Sequence, residues 1–187
     1  MLQVIQNIDE KLLSFIQLNI RNPVFDKVMP LLSFLGNWGM IWLILAVAFI
    51  ISKKYRKMGV TMLLTLLLCT LTGNSLIKPL VERVRPCNVN MLTHLLIARP
   101  TDFSFPSGHT TASFGAAVTI LCYYKKLGIA ALIFAFLIAF SRLYLYVHYP
   151  SDVLAGVILG TAMALFSVLF LRFIFRKYGN RKNGLKN

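Results

Sequence analysis

Acidic residues are scarce in this sequence. Its 187 residues include six Asp and Glu but twenty Lys and Arg, which gives a formal net charge of +14. Charged residues of both signs make up only 14% of the chain, whereas hydrophobic residues make up 57% and the mean hydropathy is +0.70. An average soluble domain has about 25% charged residues. The composition therefore excludes an ordinary soluble domain and predicts a single-domain integral membrane protein.

The scarcity of acids also bears on the partners of the basic residues. Three basic clusters flank long apolar runs and contain no acidic residue, and they hold twelve of the twenty Lys and Arg: Lys53, Lys54, Arg56 and Lys57; Lys125 and Lys126; Arg172, Arg176, Lys177, Arg181, Lys182 and Lys186. Cytoplasmic loops of membrane proteins are enriched in Lys and Arg. This rule explains the clusters without a polynucleotide, so we expect membrane lipids as partners and no nucleic acid.

Cysteine is scarce as well. Cys69 and Cys122 lie in the middle of apolar runs and Cys87 lies in a loop, so these three residues cannot form a disulfide framework. We interpret them as small core residues. The sequence has no internal repeat, and residues 1–20 lack the continuous apolar stretch of a cleaved signal peptide.

Long apolar runs predict an all-α fold, a polytopic transmembrane helical bundle. We expect five spans, at residues 38–52, 58–77, 105–124, 127–146 and 151–175. The run at 58–77 is the clearest, because twenty uncharged residues match the ~20 that a helix needs to cross the hydrocarbon core. Residues 1–20 have the apolar spacing of an amphipathic helix in the membrane interface, and a sixth span would require this N-terminal segment to cross.

These segments divide the chain into N-terminal interfacial helices at 1–36, a transmembrane domain at 37–176 and a basic tail at 177–187. If the three basic clusters are cytoplasmic, the five spans alternate in direction and the C-terminus is cytoplasmic. The opposite face of the cell membrane then contains residues 78–109 and 142–152. We therefore expect any functional site built from these polar residues to be extracytoplasmic.

A histidine stands just before the last predicted helix. Tyr149 precedes Pro150 and is disfavoured in the helical region, so the helix begins at Pro150 and carries Asp152 in its first turn. From there the carboxylate can reach one nitrogen of His148, fix its tautomer and leave the other nitrogen free to attack an electrophile. An ordinary capping pair at a membrane surface would use the same two residues, so this stretch alone leaves both interpretations open.

Three cations on the same face indicate an anionic ligand. Lys78, Arg85 and Arg142 stand at the ends of different predicted spans, where ionisable residues are costly and are interpreted as functional by default. The planar fork of arginine matches the oxygens of phosphate. The segment 106–109, Pro-Ser-Gly-His, adds a helix N-terminus whose amides and dipole bind anions, and its glycine permits close approach. We therefore expect a phosphate group as the ligand.

Two histidines near a phosphate suggest a division of roles. His148 has a carboxylate partner in Asp152 and is the expected nucleophile, whereas His109 adjoins the phosphate-binding amides of Ser107 and Gly108 and is the expected general acid. The alternative is a metal site formed by His94, His109, His148 and Asp102 or Asp152, since imidazole and carboxylate bind several ions. Three neighbouring cations disfavour it, so we expect no metal.

Together these motifs resemble the signature of the type 2 phosphatidic acid phosphatase (PAP2) family. Lys78 is followed after six residues by Arg85 and Pro86, then by Pro-Ser-Gly-His at 106–109, and then by Ser141 and Arg142 with His148 and Asp152 at the family's spacing. The resemblance covers roughly residues 57–175. Soluble vanadate-dependent haloperoxidases share these motifs, but the hydrophobicity of the chain resembles the membrane branch.

The resemblance implies a metal-independent and cofactor-independent phosphohydrolase with a phosphohistidine intermediate. It assigns the nucleophile to His148, its partner to Asp152 and the general acid to His109. It places the remaining motif residues around the phosphate of a lipid phosphate substrate: Lys78, Arg85, Ser107, Gly108 and Arg142.

Members of the family dephosphorylate phosphatidic acid, phosphatidylglycerol phosphate, diacylglycerol pyrophosphate and undecaprenyl diphosphate. The small size of the chain and the short loop between its first two motifs favour an undecaprenyl diphosphate phosphatase of a bacterial envelope. The alternatives are a phosphatidylglycerol phosphate or phosphatidic acid phosphatase, or a non-catalytic transporter of lipid phosphates or anions. Arg83 and Arg99 are interpreted as spare cations for a second phosphate, and His94 and Asp102 as solvated loop residues.

Overall fold

The computed structural model describes residues 2–91 and 94–184, with the backbone alone for residues 2 and 178–184. Within these residues the chain consists of helices and loops, which confirms the all-α prediction. The helices are α1 Leu2–Phe15, α2 Pro23–Leu35, α3 Met40–Ile51, α4 Arg56–Cys69, α5 Lys78–Val81, α6 Pro86–Val89, α7 Gly108–Tyr123, α8 Lys125–Tyr144 and α9 Pro150–Gly184. The π-helical segments Ile16–Ile20 and Thr70–Ile77 extend α1 and α4. Residues 185–187 of the predicted basic tail lie outside the described part.

Three helical segments are long and apolar enough to cross a membrane: Arg56–Val89, Lys125–Tyr144 and Pro150–Lys177. They correspond to three of the five predicted spans. The predicted span at 38–52 qualifies only together with α2, from which it is bent by 46°. The fifth, α7, has 16 residues, fewer than the ~20 of a typical membrane-crossing helix.

The bend between α2 and α3 lies at Gly36–Gly39, whereas Pro30, which also interrupts this apolar run, is inside α2. Trp38 and Gly39 both have left-handed backbone conformations, with φ of 56° and 64°. Glycine adopts this conformation without steric cost. A Cβ on Gly36 would lie 2.9 Å from the His109 ring, so the bend packs directly against the start of α7.

Helix α7 lies at the centre of the bundle. It packs against α3, α4, α8 and α9, and every residue from 108 to 120 is buried or half-buried. A Cβ on Gly160 of α9 would approach the Thr111 carbonyl oxygen to 2.4 Å, so glycine is required for the close contact of the two helices. This contact brings the first turns of α7 and α9 together.

The N-terminal helix α1 presents apolar side chains outward, among them Val4, Ile8 and Leu12. This agrees with an amphipathic helix. Its polar residues are not all exposed, however, because Asp9 is only 2% exposed and packs against the start of α9. An interfacial helix with a wholly solvated polar side is therefore the wrong description of α1.

Candidate active site

The structure gathers the predicted site residues from distant parts of the chain. Their positions are Lys78 in α5, Arg85 just before α6, Ser107 with Gly108 and His109 at the start of α7, Arg142 at the end of α8, His148 in the α8–α9 loop, and Asp152 in the first turn of α9. All of them are buried except Gly108 and His109, which are half-buried. Buried ionic groups require partners, and the contacts below identify them.

His148 is in direct contact with Arg85. The Arg85 Nη1 atom lies 2.9 Å from His148 Nε2, and a guanidinium can only donate, so Nε2 accepts and the proton is assigned to Nδ1. Burial holds the pKa of His148 well below its usual value, and the charges of Arg85, Arg142 and Lys78 lower it further. The imidazole is thus neutral with its lone pair on Nε2, which is the form that a nucleophile needs.

The carboxylate of Asp152 is fully buried and accepts several hydrogen bonds. Its Oδ2 atom is 3.5 Å from His148 Nδ1 and accepts from the Tyr149 N–H at 2.8 Å and the Ser104 hydroxyl at 2.5 Å. Its Oδ1 atom accepts from Arg83 at 2.6 Å. The long separation from His148 is of the kind that shortens when a substrate binds.

Asp102 joins two of the three cations. Its carboxylate pairs with Lys78 and, at 2.7 Å, with Arg85, whose Nε–H also donates to the Asp102 carbonyl oxygen at 2.9 Å. Burial alone would raise the pKa of Asp102, but the two cations outweigh burial and lower the pKa to about 2. The interpretation of Asp102 as a solvated loop residue is therefore wrong. Its carboxylate marks a position between Lys78 and Arg85 that suits an anion.

The third cation has an unused donor. Arg142 Nη1 donates to the Ser33 hydroxyl, whereas Arg142 Nε is buried without a hydrogen-bond partner among the described residues. A buried donor without a partner costs about 1–3 kcal/mol. An anion bound beside Arg142 would remove this cost, which gives the cation cluster a second anion-binding feature independent of Asp102.

The start of α7 supplies backbone donors and the second histidine. Ser107 is the N-cap residue and its side chain makes no capping bond, so the first-turn amides keep their donors. A Cβ on Gly108 would lie 2.8 Å from Asn74 Oδ1, so glycine fits this position best. His109 Nε2 lies 2.8 Å from Asn37 Oδ1, to which it donates.

Sequence reasoning missed Ser33, Asn37, Asp9 and the pairing role of Asp102. A usable signal was the scarcity of acids, because three of only six, Asp9, Asp102 and Asp152, lie in or beside this cluster. No comparable signal singled out Ser33 or Asn37 in an uncharged segment.

Two other loop interpretations have different outcomes. Arg83 is not a spare cation, because it pairs with Asp9 at 2.7 Å and with Asp152 at 2.6 Å. Arg99 makes only a 3.4 Å contact with Asn88. His94 is exposed, as expected.

The alternative metal site is not assembled in the described part of the chain. There, no group of three or more His, Cys, Asp or Glu side chains is arranged so that it could hold an ion.

Comparisons with known proteins agree with this geometry. The PAP2 superfamily model matches residues 54–176. Undecaprenyl-diphosphatase from Sulfolobus acidocaldarius is 36% identical over 141 residues, which cover 74% of this chain and 68% of that protein. Lipid A 4'-phosphatase from Bacteroides thetaiotaomicron is 33% identical over 172 residues, covering 86% and 75%. The crystal structure of a PAP2-type phosphatidylglycerolphosphate phosphatase from Bacillus subtilis superposes with a TM-score of 0.75 at 29% identity, covering 91% of this chain and 88% of that one.

Proposed function

Because the chain belongs to the PAP2 superfamily and is a membrane lipid phosphatase, we propose that it acts through a phosphohistidine on His148, with undecaprenyl diphosphate as its substrate. The contact between Arg85 and the Nε2 lone pair of His148 carries this proposal. It places a nucleophilic nitrogen directly beside a cation that suits the phosphate under attack. A capping histidine would not need a guanidinium on its second nitrogen.

The proposed reaction has two displacements at phosphorus. In the first, the His148 Nε2 lone pair forms a P–N bond while the P–O bond to the lipid breaks, and His109 donates a proton to the departing oxygen. In the second, His109 removes a proton from water, whose oxygen attacks phosphorus and breaks the P–N bond. Inorganic phosphate leaves, and His148 returns to its starting form.

The remaining site residues bind the phosphate oxygens. The group enters between Lys78 and Arg85, where it replaces the Asp102 carboxylate and draws Arg85 away from His148 Nε2. Arg142 Nε donates to a second oxygen, and the amides at Ser107 and Gly108 donate to a third. Positive charge from the protein thus neutralises the phosphate, and the proposal needs neither a metal nor a cofactor.

Undecaprenyl diphosphate is proposed because the similar protein from Sulfolobus acidocaldarius is named for it and because the loop between the first two motifs is short. The other similar proteins are named for lipid A and for phosphatidylglycerolphosphate. Phosphatidylglycerol phosphate and phosphatidic acid therefore remain the alternative substrates. With Arg83 engaged, Arg99 is the loop cation that we propose for the second phosphate of the diphosphate.

Purified protein should release phosphate in EDTA, with a higher kcat/KM for undecaprenyl diphosphate than for phosphatidic acid or phosphatidylglycerol phosphate at matched surface concentration. A charged hydrogen bond is worth about 1.5–3 kcal/mol, so Arg99→Gln should lower kcat/KM by roughly ten- to hundredfold for the diphosphate and much less for the monoesters. A preference of the wild-type enzyme for a monoester would overturn the substrate but not the chemistry. Absence of phosphate release from all three lipids would overturn the proposed function.

We also propose five spans with the site on the extracytoplasmic face. The bent pair α2–α3 and the central helix α7 complete the three single-helix spans, and the basic clusters lie in the cytoplasm. The parts 1–36, 37–176 and 177–187 keep their proposed roles as interfacial helices, transmembrane domain and cytoplasmic tail.

In intact cells, cysteines at Lys54 and Lys125 should be shielded from a membrane-impermeant thiol reagent, whereas one at the exposed Asn90 should react. The background should carry Cys122→Ser, because Cys122 is the native thiol that is not fully buried. Labelling with the two sides exchanged would reject the orientation.

A further inference from the structure

The N-terminal helix contributes a buried carboxylate that lies outside the matched residues 54–176. Asp9 is 2% exposed although apolar residues of the same helix face outward. Its Oδ1 accepts the Ser151 N–H at 2.9 Å, and its Oδ2 accepts the Ser151 hydroxyl at 2.5 Å and Arg83 Nη2 at 2.7 Å. A carboxylate buried with three donors is a built contact, because burial of an unpaired charge is prohibitively costly. Asp9 thereby ties α1 to the first turn of α9.

Arg83 connects Asp9 to the residues around His148. Its Nη1 donates to Asp152 Oδ1 and to the Ser151 hydroxyl, both at 2.6 Å, and its Nη2 also donates to Gln6 Oε1 at 2.7 Å. The guanidinium carbon lies 4.1 Å from the centre of the Tyr149 ring. Hydrogen bonds to both terminal nitrogens and stacking on an aromatic face fix the guanidinium plane.

This fixed guanidinium determines how Asp152 meets the histidine. With Oδ1 engaged by Arg83, the other oxygen of Asp152 is left to Ser104, Tyr149 and the Nδ1 side of His148. Arg83 carries one positive charge between two carboxylates. If Asp9 lost its charge, Arg83 would be drawn to Asp152 alone, which would shift the carboxylate relative to the imidazole.

We propose that Asp9 and Arg83 are positioning residues that act on His148 through Asp152, so that α1 is part of the catalytic unit. This inference rests on the proposed function of His148 as the nucleophile. Neither residue contacts Lys78, Arg85 or Arg142 through any hydrogen bond or ion pair of the described residues. Positioning therefore affects the chemical step and leaves phosphate binding unchanged.

A helix that only stabilises the fold would behave differently from a positioning helix. Its loss would lower the melting temperature and the yield, but folded molecules would keep their turnover, or the whole site would lose turnover and phosphate binding together. The separation of kcat from the Ki of inorganic phosphate, a competitive product inhibitor, distinguishes the two roles.

The test uses the full-length wild-type enzyme and its Asp9→Asn variant, with kcat and the Ki of inorganic phosphate measured in the same detergent. Misplacement of a reacting group by about 1 Å costs about 100-fold, so we expect kcat to fall by roughly 10- to 100-fold while Ki changes by less than about threefold. Glu10→Gln is the matched control, because it removes the adjacent exposed carboxylate of α1 but keeps an acceptor for Gln6. It should retain wild-type kcat.

Variants at Arg83 supply a second reading that does not depend on the folding of Asp9→Asn. Arg83→Lys should recover part of the kcat that Arg83→Gln loses, and adding Asp9→Asn to Arg83→Gln should cause little further loss, because both residues act through one contact.

An Asp9→Asn kcat within about twofold of wild type would overturn the inference and leave the proposed function intact. Parallel loss of kcat and phosphate affinity, or full additivity with Arg83→Gln, would also overturn it in favour of a structural role. Absence of phosphate release by the wild-type enzyme would instead overturn the proposed function, and the inference with it.

Discussion

The His148→Asn variant should lose about four to six orders of magnitude in kcat. Asparagine approximates the size and polarity of the imidazole but has no lone pair able to form a P–N bond. Loss of a catalytic nucleophile leaves only the acceleration that binding and electrostatics supply. Phosphate release in a single-turnover assay with excess enzyme measures this directly, because the result does not depend on product release.

The matched control is His94→Asn, which changes an exposed histidine of the loop between the first two motifs and should retain wild-type turnover. A transporter of anions or lipid phosphates would give another pattern, since its cations would still bind the ligand after the change at His148. Partial lipid or phosphate uptake by His148→Asn, combined with the absence of hydrolysis by the wild-type protein, would support transport and exclude the enzyme.

Arg85→Gln and Asp102→Asn should change phosphate affinity in opposite directions. Arg85 suits both a bound phosphate and the developing negative charge at the reacting centre, and loss of one such donor costs about 100- to 1000-fold in rate. Asp102→Asn removes the carboxylate that an entering phosphate must replace. A half-exposed ion pair is worth about 1 kcal/mol or less, so the Ki of inorganic phosphate should fall by roughly three- to tenfold in Asp102→Asn.

The control for these two variants is Arg56→Gln, which removes an exposed arginine at the opposite end of the α4 segment. It should leave both kcat and the Ki of phosphate unchanged. If Asp102→Asn weakens phosphate binding as Arg85→Gln does, Asp102 supports the site rather than occupying the place of the anion. Competition between the carboxylate and phosphate would then be rejected.

The sequence was sufficient for the helices and for the residues of the three motifs. Apolar runs locate helices because the length needed to cross a membrane is a local property, as the agreement of 58–77 with the segment Arg56–Val89 illustrates. His148 and Asp152 could be paired from sequence because the helix that begins at Pro150 fixes their spacing. Phosphate chemistry then requires cations, and few residue types can supply them.

Contacts between distant segments could not be predicted in this way. Helical periodicity locates Asp9 on the polar side of α1, but it does not distinguish water from a buried arginine 74 positions away as its partner. Likewise, a carboxylate in a polar loop is compatible with solvent, and only the folded chain brings Asp102 between Lys78 and Arg85. The bend at Gly36–Gly39 brings Ser33 to Arg142 and Asn37 to His109, which depends on packing against α7 and α8.

The central claim is that phosphate passes through a covalent bond to His148. The most direct measurement uses a diphosphate substrate labelled with radioactive phosphorus in its terminal group, mixed with the wild-type enzyme and quenched within milliseconds in alkali. We predict protein-bound label that is stable in alkali and lost in acid, that appears before free phosphate and that maps to the peptide containing His148. Release of labelled phosphate without protein-bound label at any time, or label on a different residue, would contradict the claim.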